Sequence, residues 1–276
     1  MQEEAQSRHA LEWALRRAVE RGEFELVYQP QLCLRTGTVI GVEALLRWMN
    51  PTRGLLTPYH FIAGLEEFGL INEVGDWVLQ TACEQIRKWQ AMHFAPMRIA
   101  VNVSAQQFED PMLIDKIRNA LKETKLPPEL LELELTESCL MSDPAQASAL
   151  LREIRDIGVR IAIDDFGTGF TSLSVLARLP VDKLKVDRSF ISQLTAEQDE
   201  ASVASAVISL AKHLNMTVAA EGVENAEQLA FLKEHNCALQ QGYLFCAPVS
   251  VAELLPELSK LQDNLQERSV SNVPKP

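Results

Sequence analysis

The chain has 276 residues, 47% of them apolar and 23% charged, and a net charge of -12, which is enough to bury a large core as a single α/β domain. That acidity argues against nucleic-acid polymers and anionic membranes, both of which need basic patches. Five cysteines without C-x-x-C spacing, five histidines without an H-E-x-x-H pair, and no apolar run of about 18 residues exclude a disulfide scaffold, a zinc hydrolase of that kind and a membrane-spanning helix, and fit a cytoplasmic protein with reduced thiols.

Taken in order, residues 4–22 predict an amphipathic helix, with Leu11, Leu15, Ala18 and Val19 near one face and Gly22 at its end. A strand over 24–30, the turn Arg35-Thr36-Gly37-Thr38 and a strand over 39–48 predict an antiparallel hairpin. Strands and helices then alternate. Helices are expected at 58–68, 70–91, 110–124, 144–157, 171–178, 197–213 and 225–235, and strands near 97–103, 131–136, 159–164, 182–187, 216–221 and 238–244. Such strand–helix units imply a parallel sheet, and their number implies a closed (β/α) barrel with its active site at the C-terminal strand ends. Gln262–Pro276 is polar, with Ser, Asn and Pro, and predicts a disordered tail. The chain thus divides into a connector helix at 1–22, a barrel over 23–258 and a tail at 259–276.

The strand ends carry the chemistry. Arg160-Ile-Ala-Ile-Asp164-Asp165 is an apolar run that stops on two adjacent carboxylates before Phe166-Gly167-Thr168-Gly169. Val39–Trp48 places Glu43, Leu45 and Arg47 on one face, Met97–Ser104 ends near Asn102, and Leu131–Glu137 alternates through Glu134 to Glu137. Lys183–Asp187 sets Lys185 and Asp187 on one face, Thr217–Glu221 ends in acid, and Gln240-Gln241 belongs to the last strand. One acid at a strand end is ordinarily a turn residue. Repetition on strand after strand is not, and like charges brought together need neutralising.

Placed around one barrel mouth, Glu43, Asn102, Glu134, Asp164, Asp165, Lys185 and Glu221 suit one or two Mg²⁺ or Mn²⁺ ions, which take oxygen ligands. Asp164 would bridge the ions, Lys185 would supply a point charge for attacking water or developing negative charge, and Arg47 would grip a phosphate. The reaction class this predicts is metal-assisted hydrolysis of a phosphodiester.

Glu43-Ala44-Leu45-Leu46-Arg47-Trp48 resembles the signature of the EAL family, the bacterial cyclic di-GMP phosphodiesterases. The resemblance runs in family order through Tyr28-Gln29-Pro30, Val101–Ser104, Leu133–Glu137, Asp164–Gly169, Lys183–Phe190, Ala220–Glu224 and Gln241–Leu244. It implies a modified TIM-like (β/α)8 barrel with an antiparallel first strand, and hydrolysis of cyclic di-GMP to linear pGpG with two Mg²⁺ or Mn²⁺ ions and inhibition by Ca²⁺. Glu43, Asn102, Glu134 and Asp164 would ligate one ion, and Asp164 with Asp165 the second. Lys185 would orient water, with Glu221 as a metal or water partner and candidate general base, and Gln241 would steady that water or the metal shell. Gln29, Leu45 and Arg47 would contact the nucleotide, and Asp187 is grouped with them. Glu137 would brace the glycine loop 165–172, which in the family couples the site to a dimer contact.

Asp165-Phe166-Gly167 mimics a kinase motif, but the chain lacks H-R-D and G-x-G-x-x-G. Glu132 reads as an ion-pair partner lower in the barrel, Trp48 and Trp77 as core anchors, and Glu224 as a helix-start acid. Asn50-Pro51, Phe170-Thr171 and Cys246-Ala247-Pro248 depart from the common family pattern without removing an expected metal ligand. The alternative to an enzyme is a cyclic di-GMP receptor of low activity, and the helix at 4–22 resembles the connector to an upstream sensory or diguanylate-cyclase-like domain.

Overall fold

A computed structural model describes residues 2–92, 97–141, 143–169, 173–194 and 203–259. Among them, nine strands form one sheet: β1 (Phe24–Cys33), β2 (Val39–Asn50), β3 (Gly54–Leu56), β4 (Arg98–Val103), β5 (Leu131–Thr136), β6 (Arg160–Phe166), β7 (Lys183–Val186), β8 (Thr217–Ala220) and β9 (Leu239–Gln240). The strands lie in the order β1-β9-β8-β7-β6-β5-β4-β2, and pairing of β1 with β2 closes the ring. β1 is antiparallel to both neighbours, and the other barrel pairs are parallel. β3 hangs on β2 as an antiparallel extension. The expected closed barrel with an antiparallel first strand is the observed fold.

Strand alternation splits the side chains into two shells. Val101, Leu133, Ile161, Leu184 and Val218 alternate outward into one contiguous core with Ile117, Leu151, Ile154, Val207 and Ile208 of the surrounding helices. The inward set is polar or small. In register around the ring, Asn102 lies beside Glu134, Glu134 beside Ala162, Ala162 beside Lys183, and Lys185 beside Ala219. The helices Ile71–Ala91, Leu113–Thr124, Pro144–Ile157, Val203–His213 and Ala226–Glu234 surround the strands. Pro144–Ile157 shows why its bounds were readable. Asp143 accepts hydrogen bonds from Ala145 N and Gln146 N at 3.1 Å, Pro144 opens the helix, and Gly158 ends it at φ 101°.

The helix Gln2–Arg21 packs on the short helix Ile62–Glu67, where a Cβ on Gly64 would stand 2.8 Å from Leu15 Cδ1. The predicted helix 58–68 divides here into a 3₁₀ turn, Pro58–His60, and Ile62–Glu67. The helix expected at 110–124 begins at Leu113, and the one at 171–178 is Leu173–Leu176 among the described residues. The last strand is shorter than the expected 238–244, because Gly242 lies against the backbone of Val223 and turns the chain away. Three one-turn helices have too few residues for periodicity to reveal: Ala105–Phe108, Glu137–Met141 and Arg188–Ser192. Trp77 corrects another expectation. It is 39% exposed, while Trp48 and Trp89 fill the core. Residues 170–172, 195–202 and the tail from 260 lie outside the described residues.

Leu133 is 1% exposed on the central strand β5. Leu133→Ala should lower unfolding stability by about 2–5 kcal/mol, read as a reduced urea midpoint at unchanged slope. A shift under about 0.5 kcal/mol would show that the outer shell does not carry the barrel.

Candidate active site

The C-terminal strand ends converge on a cluster built around Lys185, which is 1% exposed. Its ammonium lies 2.6 Å from Glu134 Oε2, 2.6 Å from Glu221 Oε1, 3.1 Å from Asp164 Oδ2 and 3.5 Å from Glu43 Oε2. These acids come from β5, the end of β8, β6 and β2 respectively. Small residues make the convergence possible, since Ala162 on β6 lets Lys185 cross from β7 to Glu134 on β5.

Adjacent residues on a regular strand face opposite sides, so Asp164 and Asp165 could not share a site without distortion. The β6–β7 register shifts between Ile163 and Phe166, and Asp165 has φ 51°. Asp tolerates this left-handed conformation better than most residues. Asp165 N donates to Asp164 Oδ1 at 2.9 Å and fixes that carboxylate. As a result, Asp164, Asp165 and Glu221 each offer an oxygen within 4.8 Å of the others, and Glu43, Glu134 and Asp164 do the same. Asp164 belongs to both groups.

Around this floor, Asn102 Nδ2 donates to Glu43 Oε1 at 2.7 Å, which turns the Asn102 carbonyl oxygen away from Glu43. Gln241 Nε2 donates to Glu43 Oε2 at 2.6 Å and to Gln29 Oε1 at 2.8 Å, and Gln29 Nε2 donates to the Cys246 carbonyl at 3.0 Å. Glu137 accepts from Gly167 N at 3.1 Å, and a Cβ on Gly169 would stand 2.7 Å from Glu137 Oε1. That is where a brace for the described part of the glycine loop would stand. Arg47 donates to the Leu46 carbonyl at 2.8 Å. Gln29, Glu43, Leu45, Arg47, Asn102, Asp164, Glu221 and Gln241 line a cavity of about 280 Å³. A second, more apolar cavity of about 380 Å³ shares Leu45 and Asn102 with the first and reaches Asp165.

Asp187 caps the helix Arg188–Ser192 by accepting from Ser189 N at 3.0 Å, is not among the residues lining the first cavity, and stands beside Asp165, whose carboxyl it raises. Glu224 stands at that cavity, where it pairs with Arg188 at 2.7 Å rather than merely opening a helix. Tyr243 and Arg188 also line the wall. Arg188 was missed because it lies over Gly222, where a Cβ would be 2.2 Å from Arg188 Cγ, and that close approach leaves no spacing signal.

Four carboxylates around one ammonium leave three excess negative charges if all ionise. Burial, then the charge of Glu43, raises the Glu134 carboxyl well above its usual range. Burial, then the charge of Asp164, pushes Glu221 up to about 8 despite Lys185. Burial, then Asp164 and Asp187, takes Asp165 to about 6. Burial opposes ionisation of Glu43 as well, but Lys185, Gln241 and Asn102 together outweigh it and hold that carboxyl below its ordinary value. Lys185 loses hydration by burial, yet Asp164, Glu134 and Glu221 raise it well above a normal lysine. Glu134 Oε1 and Gln241 Oε1 are buried and have no hydrogen-bond partner among the described residues. An orphaned carboxylate oxygen inside an all-oxygen donor set fits a hard divalent cation.

Fold and site together define an α/β barrel with an acidic mouth whose carboxylates could hold a divalent cation. An EAL domain model matches residues 12–248, and the chain belongs to that family. It is 46% identical over 244 residues to the cyclic di-GMP phosphodiesterase NbdA of Pseudomonas aeruginosa, covering 88% of this chain and 31% of that protein. It is 44% identical over 259 residues to the bifunctional diguanylate cyclase/cyclic di-GMP phosphodiesterase MucR of the same species, covering 94% and 38%. The chain therefore spans about a third of the length of these curated relatives. Among solved structures it is similar to the PaMucR phosphodiesterase in complex with c-di-GMP, at a TM-score of 0.86 and 44% identity, covering 89% of this chain and 99% of that one.

The raised acids make stability depend on pH. Between 4.5 and about 8 the folded state keeps a proton on Glu221 that the unfolded chain releases, so this contribution is full below the lower value and is lost as pH rises. In EDTA, wild type should therefore lose stability relative to Glu221→Gln from pH 5 to pH 8. A constant difference in urea midpoints would contradict the assignment.

Proposed function

We propose that the chain hydrolyses cyclic di-GMP to linear pGpG. The observation that carries this reading is the pair of acidic groups sharing Asp164, with Lys185 between them, at the mouth of an EAL-family barrel.

Glu43, Asn102, Glu134 and Asp164 would hold one Mg²⁺ or Mn²⁺ ion, and Asp164 and Asp165 the other, with Glu221 beside it. Bound ions of this kind supply Lewis acidity and an ionised water at neutral pH. Lys185 orients the attacking water through its ammonium, and Glu221, whose raised carboxyl the bound ions would return to its ionised form, would accept the water's proton. The water oxygen forms a bond to phosphorus, the bond from phosphorus to a ribose oxygen breaks, and that oxygen leaves, taking up a proton from solvent, as the hydroxyl of a linear product. Gln241, fixed by Glu43 and Gln29, restricts where the water can sit. Arg47 provides bidentate donors for the second phosphate. The two adjoining cavities suit a ligand with two bases. One base would lie against Leu46, Pro58 and Ile62, and the other near Arg188, Glu224 and Tyr243. Glu137 holds the glycine loop so that Asp165 keeps its left-handed turn.

The same reading includes inhibition by Ca²⁺, whose larger radius and looser geometry misplace the water. It also includes a homodimer through the glycine-loop side and a cytoplasmic domain attached to upstream sensory or cyclase-like sequence. Among the described residues, no helix is long and apolar enough to cross a membrane.

Incubation with cyclic di-GMP and Mg²⁺, followed by chromatography of the nucleotides, should show pGpG accumulating. Glu43→Ala and Asp164→Asn should each lower turnover by about three orders of magnitude, equivalent to about 4 kcal/mol of barrier, with the circular dichroism spectrum unchanged. Tight binding without turnover by wild type would identify a receptor instead. Full activity in Ca²⁺ alone would overturn the two-ion reading.

A further inference from the structure

Beneath the mouth, the barrel interior holds a second ion pair that the chemistry above does not use. Lys183 Nζ donates to Glu132 and, at 3.1 Å, to Gln31 Oε1. Both charged residues are 2% exposed, and among the described residues neither makes another ion pair. Gln31 Nε2 is itself buried without a partner among the described residues, so no acceptor lies within its reach.

This layer repeats the one above it. Glu132 precedes Glu134 on the inner face of β5, and Lys183 precedes Lys185 on the inner face of β7. Two residues of strand separate the layers by about 6.5 Å, roughly the length of a lysine side chain. On the intervening β6, the inner residue in register with both Glu134 and Lys183 is Ala162. Ala100 lies beside Glu132, and Ala219 lies beside Lys185. Methyl groups alone occupy these three positions beside the two pairs. A carboxylate left unpaired in the lower layer would draw down the nearest ammonium, because a buried lone charge is far costlier than a paired one.

We infer that Lys183 is a positioning residue for Lys185: by satisfying Glu132 it keeps the upper ammonium in the plane of Glu134, Asp164 and Glu221. The effect on turnover rests on the role proposed above for Lys185, whereas the effect on geometry does not.

The test compares Lys183→Met with the double variant Lys183→Met/Glu132→Gln, using steady-state kinetics on cyclic di-GMP with Mg²⁺ and crystal structures of both proteins without metal. In Lys183→Met, kcat should fall about tenfold or more while KM changes less than about threefold, and Lys185 Nζ should lie within hydrogen-bond distance of Glu132. Neutralising Glu132 in the double variant should return kcat to within about threefold of wild type and return Lys185 to Glu221. Lys183→Leu, which likewise removes the donor to Glu132, replaces Lys183→Met if that protein does not fold, and the same directions are expected. A lowered melting temperature with kcat within about twofold of wild type, or an unmoved Lys185, would reduce the pair to a structural role and overturn the inference. So would a double variant that recovers stability but not kcat. Wild type that fails to hydrolyse cyclic di-GMP would defeat the functional reading instead, and the crystal structures would still decide where Lys185 goes.

Discussion

Lys185 is one buried ammonium shared by four carboxylates, and the barrel is organised around that imbalance. A single buried pair can be nearly neutral in energy, since Coulomb attraction offsets lost hydration. Four acids on one lysine cannot be. The surplus must go to protons, to cations, or to hydrogen-bond donors such as Asn102 and Gln241. The raised carboxyls of Glu134 and Glu221 are what the excess looks like without cations. Oxygen ligands arranged this way would exchange protons for metal ions, which would link any occupancy of the site to pH.

This arrangement inverts the usual interior of a (β/α) barrel, which is packed with branched apolar side chains. Here the inner positions carry Gln29, Gln31, Glu43, Glu132, Glu134, Lys183 and Lys185, separated by Ala100, Ala162 and Ala219. The alanines leave the long charged side chains room to cross between strands that are not neighbours. Stability must then come from the outer shell, where Leu133, Ile161, Leu184 and the facing helix residues are almost wholly buried. The two shells separate the tasks, one holding the fold and the other holding charge. They meet in the strand backbones, so the register that packs Leu133 outward also aims Glu132 and Glu134 inward.

Much of this was legible because its signals are local. Leu131–Thr136 alternates strictly, and Pro144–Ile157 is bracketed by Asp143 and Gly158, so both elements appear with the expected bounds. Residues at strand ends converge because closure of the barrel is itself a consequence of repeated strand–helix units. What eluded the sequence depends on contacts across the barrel or on turns too short for periodicity. The one-turn helices Glu137–Met141 and Arg188–Ser192 contain no repeat to detect. Asp187 shares an inner-face parity with Lys185, but β7 ends at Val186, and beyond that end the aspartate both caps the next helix and stands beside Asp165. Arg188 and Glu224 meet over Gly222, at a separation in sequence that no spacing rule connects. The neighbouring carboxylates Asp164 and Asp165 were conspicuous as a pair, yet their sharing one site depends on a register shift and a left-handed residue visible only in three dimensions.

A net charge of -12 poses a last question for a site read as binding a phosphodiester. The floor offers no free positive charge, because Lys185 is engaged by its four acids. At the rim, Arg188 is paired with Glu224, and Arg47 stands on the same wall. The protein alone therefore presents an anionic ligand with a repulsive floor and few donors. Divalent cations bound to the acids would reverse that sign, so each would strengthen the binding of the other by the same factor. In such a site metal ions contribute to recognition as much as to reaction. The acids in the floor would then hold an anionic ligand back until such ions were in place.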